Sequence, residues 1–367
     1  MKNTVFPLAM AALLSQIAGA QQARPTQTRP ATVQNQIHIM PVQGNIYMMI
    51  AGGANLAFSV GKDGIFDVDT GPAQLSDQIL AAVLQLATNV AGAPSPNRCV
   101  GLHCPNSPYG WSSSGLNATI TTPAAAKPIR YIINTSVDAD HAGGNERLAE
   151  LPTGSKIVGV TFPPVGVAPQ ATVVAHENVL GRMSAPAGKE KDGKDKTFFP
   201  SGAWPTETYR TASYKISEFF NGEGIQLYYV PNAHTDGDTI VYFRYSDVIA
   251  AGDILNTTSY PVIDVEKGGT VQGILDGLNK ILEIAIPEFR SQGGTLVIPG
   301  HGRLCDTGDV ANYRNMVSIM RDRIQDMVNK GMTLAQVKAA KPTMEYDGLY
   351  GSPDKFVEAA YLTLKKH

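Results

Sequence analysis

The stretch "NTSVDADHAGGN", residues 134–145, decides how this chain is read. It follows an apolar run, Tyr131-Ile132-Ile133, and sets Asp138, Asp140 and His141 within four positions, with Gly143, Gly144 and Asn145 close behind. A strand that ends in acids, an imidazole and glycines puts ligand atoms on a loop whose backbone can approach other groups closely. Three further stretches end the same way. His234 lies in "PNAHTDGDT", between the strand-like runs "IQLYYV" and "TIVYFRY"; Asp253 lies in "AGDIL"; His301 lies in "PGHG", directly after "TLVI". One such loop alone is an ordinary turn. Four together point to a divalent metal, which needs deprotonated nitrogen or oxygen donors held with little freedom. His176, in "VVAHENV", has apolar neighbours and reads instead as a structural histidine whose ring nitrogens find partners.

The segments around these loops alternate between two periods. Asn45 to Gly71 reads as successive strands broken by Gly52-Gly53 and by a Lys62-Asp63-Gly64 turn. Ser76 caps a helix with Ile79, Leu80, Val83, Leu84 and Leu86 at near-helical spacing. Residues 88–127 are rich in Pro, Gly, Ser and Asn and carry Tyr109 and Trp111. So long a loop is either a surface insertion or a wall of the active site, and Tyr109 and Trp111 are candidates to meet a substrate. Strand-like "IRYIIN" and "KIVGV" flank a helix expected near Ala142, and "PQATVVAHENVLGRM" (169–183) is expected to be helical. A helix over 271–285, the strand "GTLVIPG" and helices from about residue 310 complete the pattern. The chain divides near Pro200 into halves similar in kind. The expected fold is an α/β sandwich of four layers (αβ/βα), with two mixed sheets face to face and helices outside.

With 367 residues, 43% of them hydrophobic, the chain can bury a large core, and a net charge of -2 gives no field drawing it to nucleic acid or an anionic membrane. Lys2, the apolar run Val5 to Leu14 and Ala18-Gly19-Ala20 read as a signal peptide over 1–20, and a Gln-, Pro- and Thr-rich spacer over 21–36 leads into the domain at 37–367. The expectation is a protein exported to the periplasm or beyond, with no membrane span. Cys99 and Cys104 are close enough for a local disulfide in an oxidising compartment, Cys305 is left over, and no C-x-x-C pair suggests a cysteine zinc site.

These motifs resemble those of the metallo-β-lactamase fold superfamily. "GIFDVDTGPA", with Asp69, is similar to its early Asp-Thr-Gly turn; "DADHAGGN" to the second half of its H-x-H-x-D-H motif; "NAHTDGDTIVYF" to its third-histidine segment; "AGDIL" and "PGHG" to its bridging aspartate and last histidine. The resemblance implies Asp140, His141 and His301 at one metal position, with Asp253 bridging to a second position at His234. It also implies a catalytic role for Asp140, in a hydrolase that uses a metal-bound hydroxide against a carbonyl or ester centre. The chain departs from the motif where two histidines are expected: Ser136 and Asp138 stand there. Asp138 can ligate through oxygen, whereas Ser136 is suited to hold a water or a neighbouring group. One or two divalent ions are therefore expected, zinc first and Mn or Fe as alternatives, since an oxygen-rich site favours zinc less. Asn145 either orients its loop or touches the small-molecule substrate. Two other functions stay open at this point: a non-catalytic metal- or ligand-binding member, and a diiron redox protein, which the carboxylate at Asp138 motivates. No oligomer is indicated.

Overall fold

In the strand Ile46–Ala51 the side chains divide between two cores. Ile46 and Met48 join an apolar cluster with Leu227, Val241 and Phe243, while Met49 and Ala51 join another with Ile79 and Val83 of the helix Ser76–Gly92. Successive strand residues face opposite sides, so a sheet apolar on both faces must be covered on both. The computed structural model describes residues 37–92, 128–150, 156–157, 160–161, 170–189, 195–216, 219–286 and 294–365. The expected signal peptide, spacer, Cys99, Cys104, Tyr109 and Trp111 lie outside them.

The first sheet has seven strands in the order β1 (His38–Gln43), β2 (Ile46–Ala51), β3 (Ala54–Gly61), β4 (Gly64–Val68), β5 (Ile129–Ile133), β6 (Thr172–His176) and β7 (Glu207–Tyr209). β1 to β4 run antiparallel to their neighbours, and β4 through β7 are parallel. The second sheet orders β8 (Ser213–Lys215), β9 (Ile225–Val230), β10 (Asp238–Phe243), β11 (Val248–Ala250) and β12 (Leu296–Ile298), with only β11 and β12 parallel. Ile46, Phe66, Val68, Phe220, Leu227 and Phe243 pack between the two sheets. The outer face of the second sheet is covered by helices Val271–Ile284, Thr307–Asn329 and Asp354–Lys365, whose Ile274, Leu278, Val317, Met320 and Phe356 share one cluster with Ile249 and Val297. This is the expected αβ/βα sandwich. Among the described residues no helix is long and apolar enough to cross a membrane.

Three local expectations are corrected. Residues 169–183 do not form one helix: Thr172–His176 is a strand between β5 and β7, and only Glu177–Met183 is helical. The β-branched Thr172, Val173 and Val174 suit the pleated interior, and His176 caps the helix by accepting from the Asn178 amide. The change of sheet falls after Tyr209 rather than near Pro200, because Glu207–Tyr209 still pairs with β6. The helix expected near Ala142 starts at Ala139, so Asp140 and His141 lie in its single turn. His176 is structural as read, stacked on Tyr229 at 3.7 Å between ring centroids. Cys305 is a buried free thiol pushed up to about 12 by burial, which makes it a poor nucleophile.

One strand residue contradicts its surroundings. Asp67 on β4 is fully buried, and neither carboxyl oxygen makes a well-formed hydrogen bond. Burial first, and the charge of Asp69 second, raise its pKa well above the usual carboxylate range. A carboxyl raised on folding binds its proton more tightly in the folded chain, so stability falls as pH rises from the unfolded value toward the folded one. Asp67→Val should therefore stabilise the protein by about 1–3 kcal/mol at pH 8 and by less at pH 4. Thermal melts at the two pH values test this; an equal shift at both would refute the buried-acid explanation.

Candidate metal centre

Every candidate ligand lies just beyond the end of a strand at one edge of the sandwich. Asp69 follows β4, the stretch 134–141 follows β5, His234 follows β9, Asp253 follows β11 and His301 follows β12. Backbone bonds join the loops: Thr70 N donates to His141 O at 2.6 Å, Thr239 N to Thr135 O at 2.9 Å, and Asn55 N to Gly300 O at 2.8 Å. Gly300 is needed for close approach, because a Cβ there would come within 2.4 Å of Asp253 Oδ1.

Two groups of three ligands result, Asp140 with His141 and His301, and Asp138 with His234 and Asp253. Asp253 belongs to both in effect. Its Oδ2 lies 3.2 Å from His141 Nε2 and 3.7 Å from His234 Nε2, and its Oδ1 lies 3.2 Å from His301 Nε2. Each imidazole is held from behind by its other nitrogen. His141 Nδ1 meets Asp69 Oδ2 at 2.7 Å, His234 Nδ1 meets the Val262 carbonyl at 2.8 Å, and His301 Nδ1 meets the Gly53 carbonyl at 2.9 Å. A carbonyl only accepts, so Nδ1 of His234 and His301 carries hydrogen and Nε2 is the atom turned to the site. Such partners fix both tautomer and ring orientation in metal sites.

The site passes a simple test for a divalent ion. His141 Nε2 and Asp253 Oδ1 are buried and form no hydrogen bond, although polar atoms of the neighbouring ligands lie 3.2 Å away. Close donors that converge without bonding one another are arranged for a common cation. Their charges agree. Asp253 is held well below the usual range: burial opposes this, but His141, His301 and His234 outweigh it. The same carboxylates raise the imidazoles against burial, His234 to about 10 with Asp138 as its main partner and His301 to about 9 through Asp140 and Asp253. A metal ion here competes with protons, so its affinity rises with pH.

Ser136 is buried beside this centre, with its Oγ accepting from the Asp138 amide at 3.3 Å, and it belongs to neither ligand group. Asn145 is placed for structure and not for substrate. It is fully buried, exchanges bonds with Asn134 at 2.8 and 2.9 Å, and also bonds the Ala203 carbonyl and Thr70 Oγ1. Asp69 orients His141 and also accepts from Thr135.

Sequence reasoning missed Lys267. Its Nζ lies 2.6 Å from Asp138 Oδ1 and 2.9 Å from Asp264 Oδ2, while Asp138 Oδ2 bonds His234 Nε2. Burial pushes Asp138 up, but His234 and Lys267 together bring it to about 2. The signal available was "EKGGT", a lysine fixed by two glycines shortly after "AGDIL". Also missed was one wall of the cleft above the ligands. That cleft encloses about 910 Å³, and Lys355, Glu358, Ala359 and Leu362 of the last helix line it opposite Asp138, Asp140 and His301.

Comparison with known proteins agrees with this architecture. The profile of the metallo-beta-lactamase superfamily matches residues 123–301. No curated protein sequence matches. Among solved structures, a double mutant of the sec-alkyl sulfatase PisA1 superposes with a TM-score of 0.56 at 14% identity, over 89% of this chain and 50% of that one. The stereoselective inverting sec-alkylsulfatase Pisa1 from Pseudomonas sp. gives 0.55 at 14% identity, again over 89% and 50%. This chain thus spans about half the length of those sulfatases. A metallo-beta-lactamase from Pontibacter korlensis gives 0.47 at 12% identity, over 77% of this chain and 99% of that one. Residues 123–301 thus match the metallo-beta-lactamase superfamily and the sandwich shares the fold of those sulfatases, with Ser136 and Asp138 standing where the motif the chain resembles has two histidines.

Proposed function

We propose that the protein is an exported, metal-dependent hydrolase of a small carboxylic, sulfuric or phosphoric ester, lactone or lactam. The observation that carries this reading is the pair of buried, unbonded ligand atoms, His141 Nε2 and Asp253 Oδ1, beneath a cleft of about 910 Å³. His141, His301, Asp253 and Asp140 would hold a divalent metal ion, which would supply Lewis acidity and lower the pKa of water. The remaining work falls to the chain. The side chain of Asp140 is 44% exposed, against 9% for Asp253 and none for His141, so among these ligands it has the most room to meet a substrate. The bond to His301 is the main reason its pKa is lowered, and Asp140 is therefore a carboxylate at neutral pH. Its carboxylate is suited to take a proton from water and pass it to the leaving group. Val262, Ile263 and Leu362 give the cleft an apolar side against which a substrate's carbon skeleton can lie.

The test begins with the full sequence, residues 1–367, expressed and purified, with the N-terminus sequenced and the metal content measured. A chain starting near Gln21 supports export, and one that retains Met1 overturns it. Hydrolysis of carboxylic, sulfate and phosphate esters, lactones and lactams is then screened. Asp140→Asn should lower kcat by about 10²–10⁴-fold against the best substrate at saturating metal. Unchanged turnover would remove Asp140 from the reaction.

A further inference from the structure

The two ligand groups face different cations. Asp140 and Asp253 face imidazoles. Asp138 faces the His234 imidazole with one oxygen and the Lys267 ammonium with the other.

Lys267 is built into this position. Its loop is tied to the histidine it serves: the Asp264 amide donates to the His234 carbonyl at 2.9 Å, and the Val262 carbonyl receives His234 Nδ1. The Lys267 carbonyl accepts from the Asp236 amide at 2.9 Å, and its own amide donates to Asp264 Oδ1 at 2.9 Å. Gly269 lets the loop lie this close, since a Cβ there would meet the His234 carbonyl oxygen at 2.2 Å. The lysine side chain is 22% exposed and divides its ammonium between two carboxylates.

An ion at the Asp138 group would have to share this space. Metal–oxygen bonds of about 2.0–2.2 Å require direct access to the carboxylate, and here both oxygens are engaged. A unit like charge about 4 Å from a divalent ion, at an effective dielectric near 20, weakens its binding by about 10⁶-fold. Ser136 deepens the handicap, because the group is left with a single imidazole, that of His234.

We propose that the Lys267 ammonium takes the place of a second metal ion: it neutralises Asp138 and leaves the protein with one divalent ion, held by Asp140, His141, His301 and Asp253. The inference rests on the metal-dependent reading above. Lys267 is then a positioning residue that keeps Asp138 and His234 in register with the occupied half of the centre.

The experiment counts zinc per chain after incubation with excess zinc and gel filtration, for the wild type, Lys267→Arg and Lys267→Met. One equivalent is expected for the wild type and for Lys267→Arg, which retains the charge. A second equivalent is expected for Lys267→Met, and in manganese-loaded protein its electron paramagnetic resonance spectrum should show a coupled pair. Two equivalents in the wild type overturn the inference and leave the hydrolase reading standing. One equivalent in a folded Lys267→Met also overturns it. If that variant does not fold, the wild-type count decides alone. No zinc in the wild type overturns the metal-dependent reading itself, and the inference with it.

Discussion

Asp253→Asn should strip the protein of its metal while leaving the sandwich folded. Asparagine keeps the size of the side chain and one carbonyl oxygen, and so respects the close approach of Gly300, but it removes the charge. Asp253 is the carboxylate that lies within 3.7 Å of all three imidazoles, two of them at 3.2 Å. Without it a cation would be met by the neutral rings of His141 and His301 and by Asp140, whose side chain is 44% exposed. Removing one partner of a buried ionic cluster costs about 3–5 kcal/mol, which corresponds to roughly 10²–10⁴-fold in metal affinity. Elemental analysis after gel filtration should find less than about a tenth of the wild-type content, with the far-ultraviolet circular dichroism unchanged. Hydrolysis should disappear with the metal and return only partly at millimolar zinc. Full metal content in the variant would show that Asp253 is not a ligand and would move the centre elsewhere.

The ligand types were legible because the fold exposes them in a regular way. At the C-terminal edge of a sheet a buried apolar run stops abruptly, and the polar residues that follow carry glycine or asparagine for close turns. Asp138, Asp140, His141, His234, Asp253 and His301 all have this context, and the structure gathers them into two neighbouring groups. Lys267 has no such context. It lies seventeen or more residues from the nearest strand in an irregular loop, and its value depends on the backbone of that loop bonding His234. The strand Thr172–His176 was hidden for a different reason. A parallel strand buried on both faces has no alternation, and its apolar residues run on into Val179 and Met183 at a spacing that also suits a helix. Glu207–Tyr209 is only three residues long, too short to carry a period at all, and so the boundary between the sheets was placed too early. Asn145 illustrates a third limit: a polar residue beside ligands reads as functional until its partners are seen, and all of its partners are internal.

Asp69→Ala should be the most damaging change that touches none of the proposed ligand atoms. Asp69 is buried and accepts from the Thr135 amide at 2.8 Å, Thr135 Oγ1 at 2.6 Å and His141 Nδ1 at 2.7 Å. Alanine leaves three buried donors unmet, at about 1–3 kcal/mol each before relaxation. It also has to hold a backbone φ of 64°, a left-handed conformation that aspartate and asparagine tolerate better than alanine. A net loss of about 3–5 kcal/mol is expected in urea unfolding of the metal-free protein. A second effect is separable from the first. His141 loses the carboxylate that fixes its ring, and metal affinity should fall by about 10–100-fold even in the fraction that folds. Asp69→Asn distinguishes the two contributions. It tolerates the same φ and keeps one acceptor, but its amide group faces donors it cannot accept from, so it should recover part of the stability and little of the metal affinity. If Asp69→Asn instead binds zinc as tightly as the wild type, the charge of Asp69 does not tune His141, and the residue serves only to hold the turn between β4 and the loop that carries Asp138 and His141.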